Sequence, residues 1–372
     1  MTTIINGSSP SITFSDGSAQ TSATRPFLNR LINGNFVIDQ RNAGASLTNT
    51  TSFPYSLDRW QIQGNVASKY TAQQSTTAPT GFSNSLLITS SSAYSVAAGD
   101  YFFFNQKIEG FNTSDLQWGT ADAKTVTLSF WVRSSLTGTF GGSIVNGTFN
   151  YSYPFSYTIF AANTWEQKSV TVAGPTAGTW VGATNGTGLA VLFGLGVGST
   201  YSGTAGLWSA NSYYSATGAT SVVGTNGATF YITGVQLEVG STATSFDYRP
   251  YTTELQLCQR YYYKVTASAA SDGFSAGGQC FNTTGAIVSV PFPVTMRTIP
   301  TALEQSGTAG DYRLFGSATN GINCSAVPTF NGTTNQNIAV VEGTVSSGLV
   351  AGNSTFMAAT NTSAYLGWSA EL

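Results

Sequence analysis

The chain has 372 residues, of which 8% are charged and 13% aromatic, with a net charge of −2, 41 glycines and no histidine. So little charge excludes a nucleic-acid groove or an anionic-lipid patch, both of which need clustered Lys and Arg. The missing imidazole excludes a Ser-His-Asp triad, and Cys258, Cys280 and Cys324 are too widely spaced for a zinc site and read as buried free thiols.

Residues 1–26 are polar apart from Ile4, Ile5, Ile12 and Phe14, with a strand predicted over 11–15 before the turn signal Asp16-Gly17. These few apolar residues cannot form a core, so the segment reads as an attachment or assembly element held by a partner. No basic start leads into an apolar run, so no secretory leader is expected, and no window approaches the length of a membrane span.

From 27 to 250, apolar-alternating runs at 86–89, 101–108, 126–133, 169–172, 189–195 and 230–239 are separated by Gly, Ser, Thr and Asn clusters. This is the pattern of an antiparallel sandwich or jelly roll. Val126, Leu128, Phe130 and Val132 share one face, with Trp131 and Arg133 on the other and both faces expected to be covered; Trp60, Trp131 and Trp165 are expected in the core, and the glycines at 138–142 and 194–198 mark loops or strand kinks. After Pro250, Thr253 and Gln256 have capping-box spacing, and Leu255, Cys258 and Tyr262 recur at helical offsets, which predicts a junction helix within 251–264. A smaller β domain follows over 265–372, with strands near 287–294, 312–315, 338–345 and 363–369. Pro291 and Pro293 place the first of these at an edge or in a bulged turn. The fold class expected is therefore all-β: a jelly-roll sandwich and a smaller β domain joined by a short helix.

The formal G-x-S-x-G at 273–277 lacks a histidine partner and a strand-to-helix context. Glycoside hydrolysis needs two carboxylates about 5–9.5 Å apart. Here the acids have structural work close at hand: Asp58 beside Arg59, Glu109 at a strand end, Asp247 before Arg249, and Glu254 at a helix start. No cofactor is implied. Asp58, Glu109 or Glu238 with backbone carbonyls would suit a structural calcium, and strand-end hydrogen bonds are the other use for them. Trp180, Trp208, Tyr213 and Tyr214 lie in small-residue loops, where rings stack on sugars and Asn211 or Asn226 supplies hydrogen bonds. The alternative for each ring is to fold back over a sandwich end or to pack on another subunit.

Several stretches carry a family resemblance. They are G-V-Q-L-E-V-G at 234–240, F-D-Y-R-P at 246–250, E-L-Q-L-C-Q-R-Y-Y at 254–262, D-Q-R-N-A-G at 39–44, L-D-R-W at 57–60, Q-K-I-E-G at 106–110 and the closing S-A-E-L. Together they resemble tail-fibre and other virion-surface proteins of tailed bacteriophages and prophages. The resemblance implies a carbohydrate-binding-like jelly roll over 27–250 and a non-enzymatic virion protein, a tail fibre or receptor-binding protein that contacts host surface polysaccharide. It also implies a homotrimer, with Ile4, Ile5, Ile12 and Phe14 joining other virion proteins. A capsid head fibre or decoration protein and a glycan depolymerase are the alternatives.

Overall fold

The computed structural model describes residues 27–316 and 321–372, together with the backbone of three short strands, Ile4–Asn6, Ser11–Thr13 and Ala19–Gln20, which pair antiparallel with one another. The side chains of Ile4, Ile5 and Ile12, and all of Phe14, lie outside the described residues.

Two six-stranded antiparallel sheets form a sandwich. In spatial order the first contains Glu166–Val172, Val126–Ser134, Thr229–Val239, Ser85–Ser90, Tyr70–Ser75 and Leu47–Thr48. The second contains Ser152–Ile159, Gly138–Asn146, Thr187–Val197, Tyr101–Glu109, Trp60–Gly64 and Tyr55–Leu57. Period-2 alternation sends Val126, Leu128, Phe130 and Val132 into the core, where they meet Phe104 and Phe193 from the facing sheet. Phe104 stacks on Phe193 at 5.1 Å, and Phe130 meets Phe193 edge-on at 5.1 Å, both preferred aromatic geometries. Trp60 is fully buried as expected. Trp131 and Trp165 are only half-buried. Trp131 alternates to the outer face because Phe130 and Val132 occupy the inner one.

The glycines at 138–142 lie in a strand, not a loop, and the run at 194–198 carries a bulge between Gly194 and Gly196. Their small size has a use. The connection at 199–224 lies across the outer face of the second sheet, and a Cβ on Gly141 or Gly194 would come within 2.4 or 2.7 Å of Ser215 Oγ.

The C-terminal strands close into a barrel in the order Gly277–Cys280, Gly285–Pro291, Ile338–Val345, Ile322–Phe330, Tyr312–Gly316 and Ser354–Ala359. Closure corrects the expected edge strand: Gly285–Pro291 pairs on both sides, with Pro291 at its last register position opposite Ile338. Beside the barrel, Tyr365–Ser369 pairs with Tyr262–Thr266 and Glu304–Gln305.

The helix runs over Tyr251–Gln259, and Tyr262, expected on it, begins a strand. Its N-cap is Pro250 with no side-chain cap, so Thr253 is an interior residue of the first turn. The Glu254 carboxylate instead accepts the Asn33 N–H and pairs with Arg249 at 3.2 Å. Cys258 and Tyr261 pack with Ile32, Ile38 and Leu372 in a small core between sandwich and barrel. All three cysteines are buried free thiols.

Candidate functional site

The edge strands of the two sheets, Ser152–Ile159 and Glu166–Val172, are consecutive in the chain and face each other along one side of the sandwich. Between them lies a groove of about 220 Å³ lined by Tyr153, Phe155, Ser156, Val170, Ala205 and Gly206, none of them charged. Aromatic residues extend from one end of it. Tyr153 meets Trp208 at 5.1 Å, and Tyr151 stacks on Trp208 at 5.7 Å and 18°. Trp208 is edge-on to both Trp180 (5.7 Å) and Trp118 (5.4 Å). Tyr151, Tyr153, Trp180 and Trp208 are half-buried, while Trp118 is buried and plugs the sandwich end. The indole N–H groups of Trp208, Trp180 and Trp118 donate to the carbonyls of Ala173, Ala177 and Lys124. These bonds fix ring orientation, and the remaining ring surface is available for stacking.

The structure therefore brings Trp180 and Trp208 together and separates them from the other predicted rings. Tyr214 stacks on Tyr201 at 4.9 Å and 6°, and contacts Tyr101 and Phe103 on the outer face of the second sheet. Tyr213 lies against Gly203, where a Cβ would come within 2.2 Å of its ring. Asn211 is exposed, donates to Ser209 Oγ at 2.7 Å, and accepts the Ser152 hydroxyl on its backbone oxygen, which ties the loop to the groove's edge strand. Sequence reasoning missed Tyr151, Tyr153 and Trp118. The alternation Y-S-Y-P-F-S-Y at 151–157 carried a signal for the two tyrosines, whereas Trp118 sits in a turn without periodicity.

The scarce charges gather elsewhere, at the junction between the domains. Glu371 pairs with Arg59 and, at 2.9 Å, with Arg41. Each guanidinium also lies over a tyrosine ring, Arg59 over Tyr261 at 3.6 Å and Arg41 over Tyr262 at 3.7 Å. Glu109 takes Arg260 at 2.6 Å and the Tyr261 hydroxyl at 2.7 Å. Burial would raise the Glu109 carboxyl, but these hydrogen bonds outweigh it and hold it below its usual range. Asp58 accepts the Gln40 N–H at 2.7 Å, and burial pushes its carboxyl up to about 6 against Arg41 and Gln40, which pull it down. Glu238 is bonded to Thr244 and Gln236. The three carboxylates considered for calcium are thus each engaged by protein donors, and no cluster of three or more His, Cys, Asp or Glu occurs among the described residues. Ser275 of the G-x-S-x-G run accepts the Met357 N–H at 2.9 Å on the barrel. No helix among the described residues is long and apolar enough to cross a membrane.

No family model and no curated protein matches the chain. Solved structures do. The enzymatically active domain of tailspike protein 4 from bacteriophage CBA120 is similar at 14% identity and a TM-score of 0.31 over 58% of this chain, which spans 22% of that one. A protein described as sugar-binding from Bacteroides thetaiotaomicron is similar at 13% identity and a TM-score of 0.34, over 57% of this chain and all (100%) of that one. A family 11 carbohydrate-binding module from Clostridium thermocellum, in complex with a mixed-linked tetrasaccharide, is similar at 10% identity and a TM-score of 0.29, over 54% of this chain and 98% of that one.

Proposed function

We propose that the protein binds neutral glycans without catalysis, through the groove at the sandwich edge, as a virion-surface protein of a tailed bacteriophage such as a tail fibre. The observation that carries the binding reading is the groove itself: uncharged, lined by small residues and a serine, and flanked by tyrosine and tryptophan rings held in fixed orientation. Ring faces match the C–H faces of a pyranose, and the hydroxyls and backbone groups around them match its O–H groups. The virion placement rests on the motif resemblance.

The non-catalytic part of the proposal is supported by where the carboxylates sit. None lines the groove, and Glu109, Glu254, Glu371 and Asp115 are each committed to an arginine. A hydrolase needs one carboxyl free to protonate and a second free to attack or to activate water.

The test is a titration of neutral oligosaccharides from the host surface against the parent chain and Tyr153→Ala. A central aromatic contact is typically worth about 2 kcal/mol, so the variant should bind about 30-fold more weakly. Affinity should change little between low and high salt, because no charge lines the groove. Unaltered affinity in the variant, or release of reducing ends by the parent chain, would overturn the corresponding part of the proposal.

A further inference from the structure

The G-x-S-x-G run at 273–277 lacks a histidine partner, yet it shapes the wall of the barrel. Thr355 pairs with Gly278, and the next paired position between these two stretches is Gly273 with Ala358. Four residues, 274–277, therefore face only two, 356 and 357, and the longer side bows away from its neighbour. Gly277 takes φ 147°, a conformation that side chains rarely allow. Ser275 spans part of the gap: its hydroxyl accepts the Met357 N–H at 2.9 Å, where a regular ladder would offer a strand carbonyl. The bow leaves a groove of about 460 Å³, with Ser275, Ala276 and Gly277 on one side and Ser354, Thr355 and Phe356 on the other.

Two features of this groove have no use in the chain alone. Phe356 is 41% exposed, and Phe315, its register partner on the adjacent strand, stacks on one of its faces at 4.6 Å and 2°. Phe315 is backed in turn by Gly321, where a Cβ would come within 3.0 Å of its ring. The strand of Phe356 lies between that of Phe315 and the bowed one, so the second face of the Phe356 ring is turned toward Ser275, Ala276 and Gly277. Thr355 is 5% exposed, and its hydroxyl has no hydrogen-bond partner among the described residues. A buried hydroxyl left unmet is destabilising and marks a place where a partner is missing. None of the lining residues is charged, so an ionic ligand would lose its hydration without gaining a counter-charge. A ring face beside hydroxyls suits a neutral pyranose, whose C–H face stacks and whose O–H groups both donate and accept, and the volume is that of a small-ligand site.

We infer that the bulged seam of the barrel, at Ser275, Thr355 and Phe356, is a second saccharide site, for a short neutral sugar. Phe356 supplies the stacking face and Phe315 braces it. The Thr355 hydroxyl finds in the sugar the partner that the chain does not give it. Ser275 uses only a lone pair on the Met357 N–H, so its own proton is left to donate. This site shares a ligand class with the groove at the sandwich edge but none of its residues, so either can fail without the other.

The probes are maltose, cellobiose, lactose and diacetylchitobiose at millimolar concentration, added to the full chain and followed by hydrogen exchange. At least one should protect backbone amides within 274–278 and 354–357. In Phe356→Ala that protection should need about tenfold more sugar, with the thermal transition in place because the ring is exposed. Thr355→Val separates binding from folding. It removes an unpartnered hydroxyl at nearly constant shape, so the variant should melt no lower than the parent yet need about fivefold more sugar. Protection in the barrel should persist in Tyr153→Ala, which lacks a ring of the groove at the sandwich edge. Protection confined to the sandwich, or none in the barrel with any of these sugars, would overturn the inference. So would parent-like affinity in Thr355→Val, the result expected if its hydroxyl holds only a buried water.

Discussion

The penultimate residue should control how the two domains are held together. The Glu371 side chain is 6% exposed and lies against the side chains of Arg59, 1% exposed, and Arg41, 11% exposed. Around it the chain end is fixed by Arg297, which donates to the Ala370 and Glu371 carbonyls, and by Lys107 and Tyr55, which donate to the Leu372 carbonyl. Replacing Glu371 by Gln leaves the buried Arg59 guanidinium without its paired anion and leaves Arg41 the Asp58 and Glu304 carboxylates at longer range. Breaking a buried pair typically costs about 3–5 kcal/mol. Arg59 keeps the Lys107 carbonyl and the face of Tyr261, so the lower figure, about 3 kcal/mol, is expected. For a unit of 150–250 residues that is a fall of roughly 6–12 °C in its transition. Calorimetry should show the lower-melting part of the molecule separating from the rest, because the loss falls on the junction and neither main core is touched. The double variant Arg59→Met/Glu371→Met should be less destabilised than the sum of its single changes by about 2 kcal/mol, since it removes the stranded charge with its partner. Additivity within about 0.5 kcal/mol, or a Glu371→Gln protein that melts with the parent, would show that the charges at the junction are solvated and the argument wrong.

Asp58 should make the protein more stable on mild acidification. Its folded value of about 6 lies above the unfolded one, so the native state takes up the proton first. Stability should therefore rise by on the order of 2–3 kcal/mol as pH falls from 7 to about 4, and Asp58→Asn should abolish that slope in urea titrations. Glu109 has the opposite sign. Its carboxyl is depressed in the folded state, so its contribution is present above the unfolded value and is lost as pH falls through the folded one. Arg260→Met should remove that acid-side loss together with the stability it represents. Residues 27–250 expressed alone should fold as a sandwich, because its core is complete without the barrel. They should be less stable than in the full chain, since Ile32, Ile38 and Arg59 lose their cover; an unfolded product would show that the division near 250 is misplaced.

The strands were legible because alternation is a local signal. Ile338–Val345 coincides with the predicted run, and the inner face of Val126–Ser134 can be read directly from its spacing. What alternation does not encode is which faces are covered afterwards. Trp131 lies in a strand and on the face opposite Phe130, as its place in the alternation predicts, yet it is only half-buried, because how far that face is covered depends on distant segments. The proline argument failed in the barrel for the same reason. Pro291 and Pro293 point to an edge strand or a bulged turn, but a proline at the last register position of a strand costs little even when that strand pairs on both sides, and the chain bends only after it.

The candidate site was half legible, and the missing half is instructive about charge. Loop tryptophans stand out because aromatic residues among glycines have few uses, and Trp180 and Trp208 do meet; their tyrosine neighbours come from an edge strand and the residue before it, 29 or more residues away, and no local pattern links them. The acids were paired by adjacency in sequence, which succeeded for Asp247 with Arg249 and failed for Arg59, whose partner is Glu371 at the far end of the chain. A chain with so few charges places many of them where desolvation is costly and each needs a specific partner. That makes the junction selective: docking of barrel on sandwich is what brings Arg41 and Arg59 to Glu371, and Arg260 to Glu109. No charged side chain lines the groove, where a ligand without charge can compete with water through ring faces and hydroxyls.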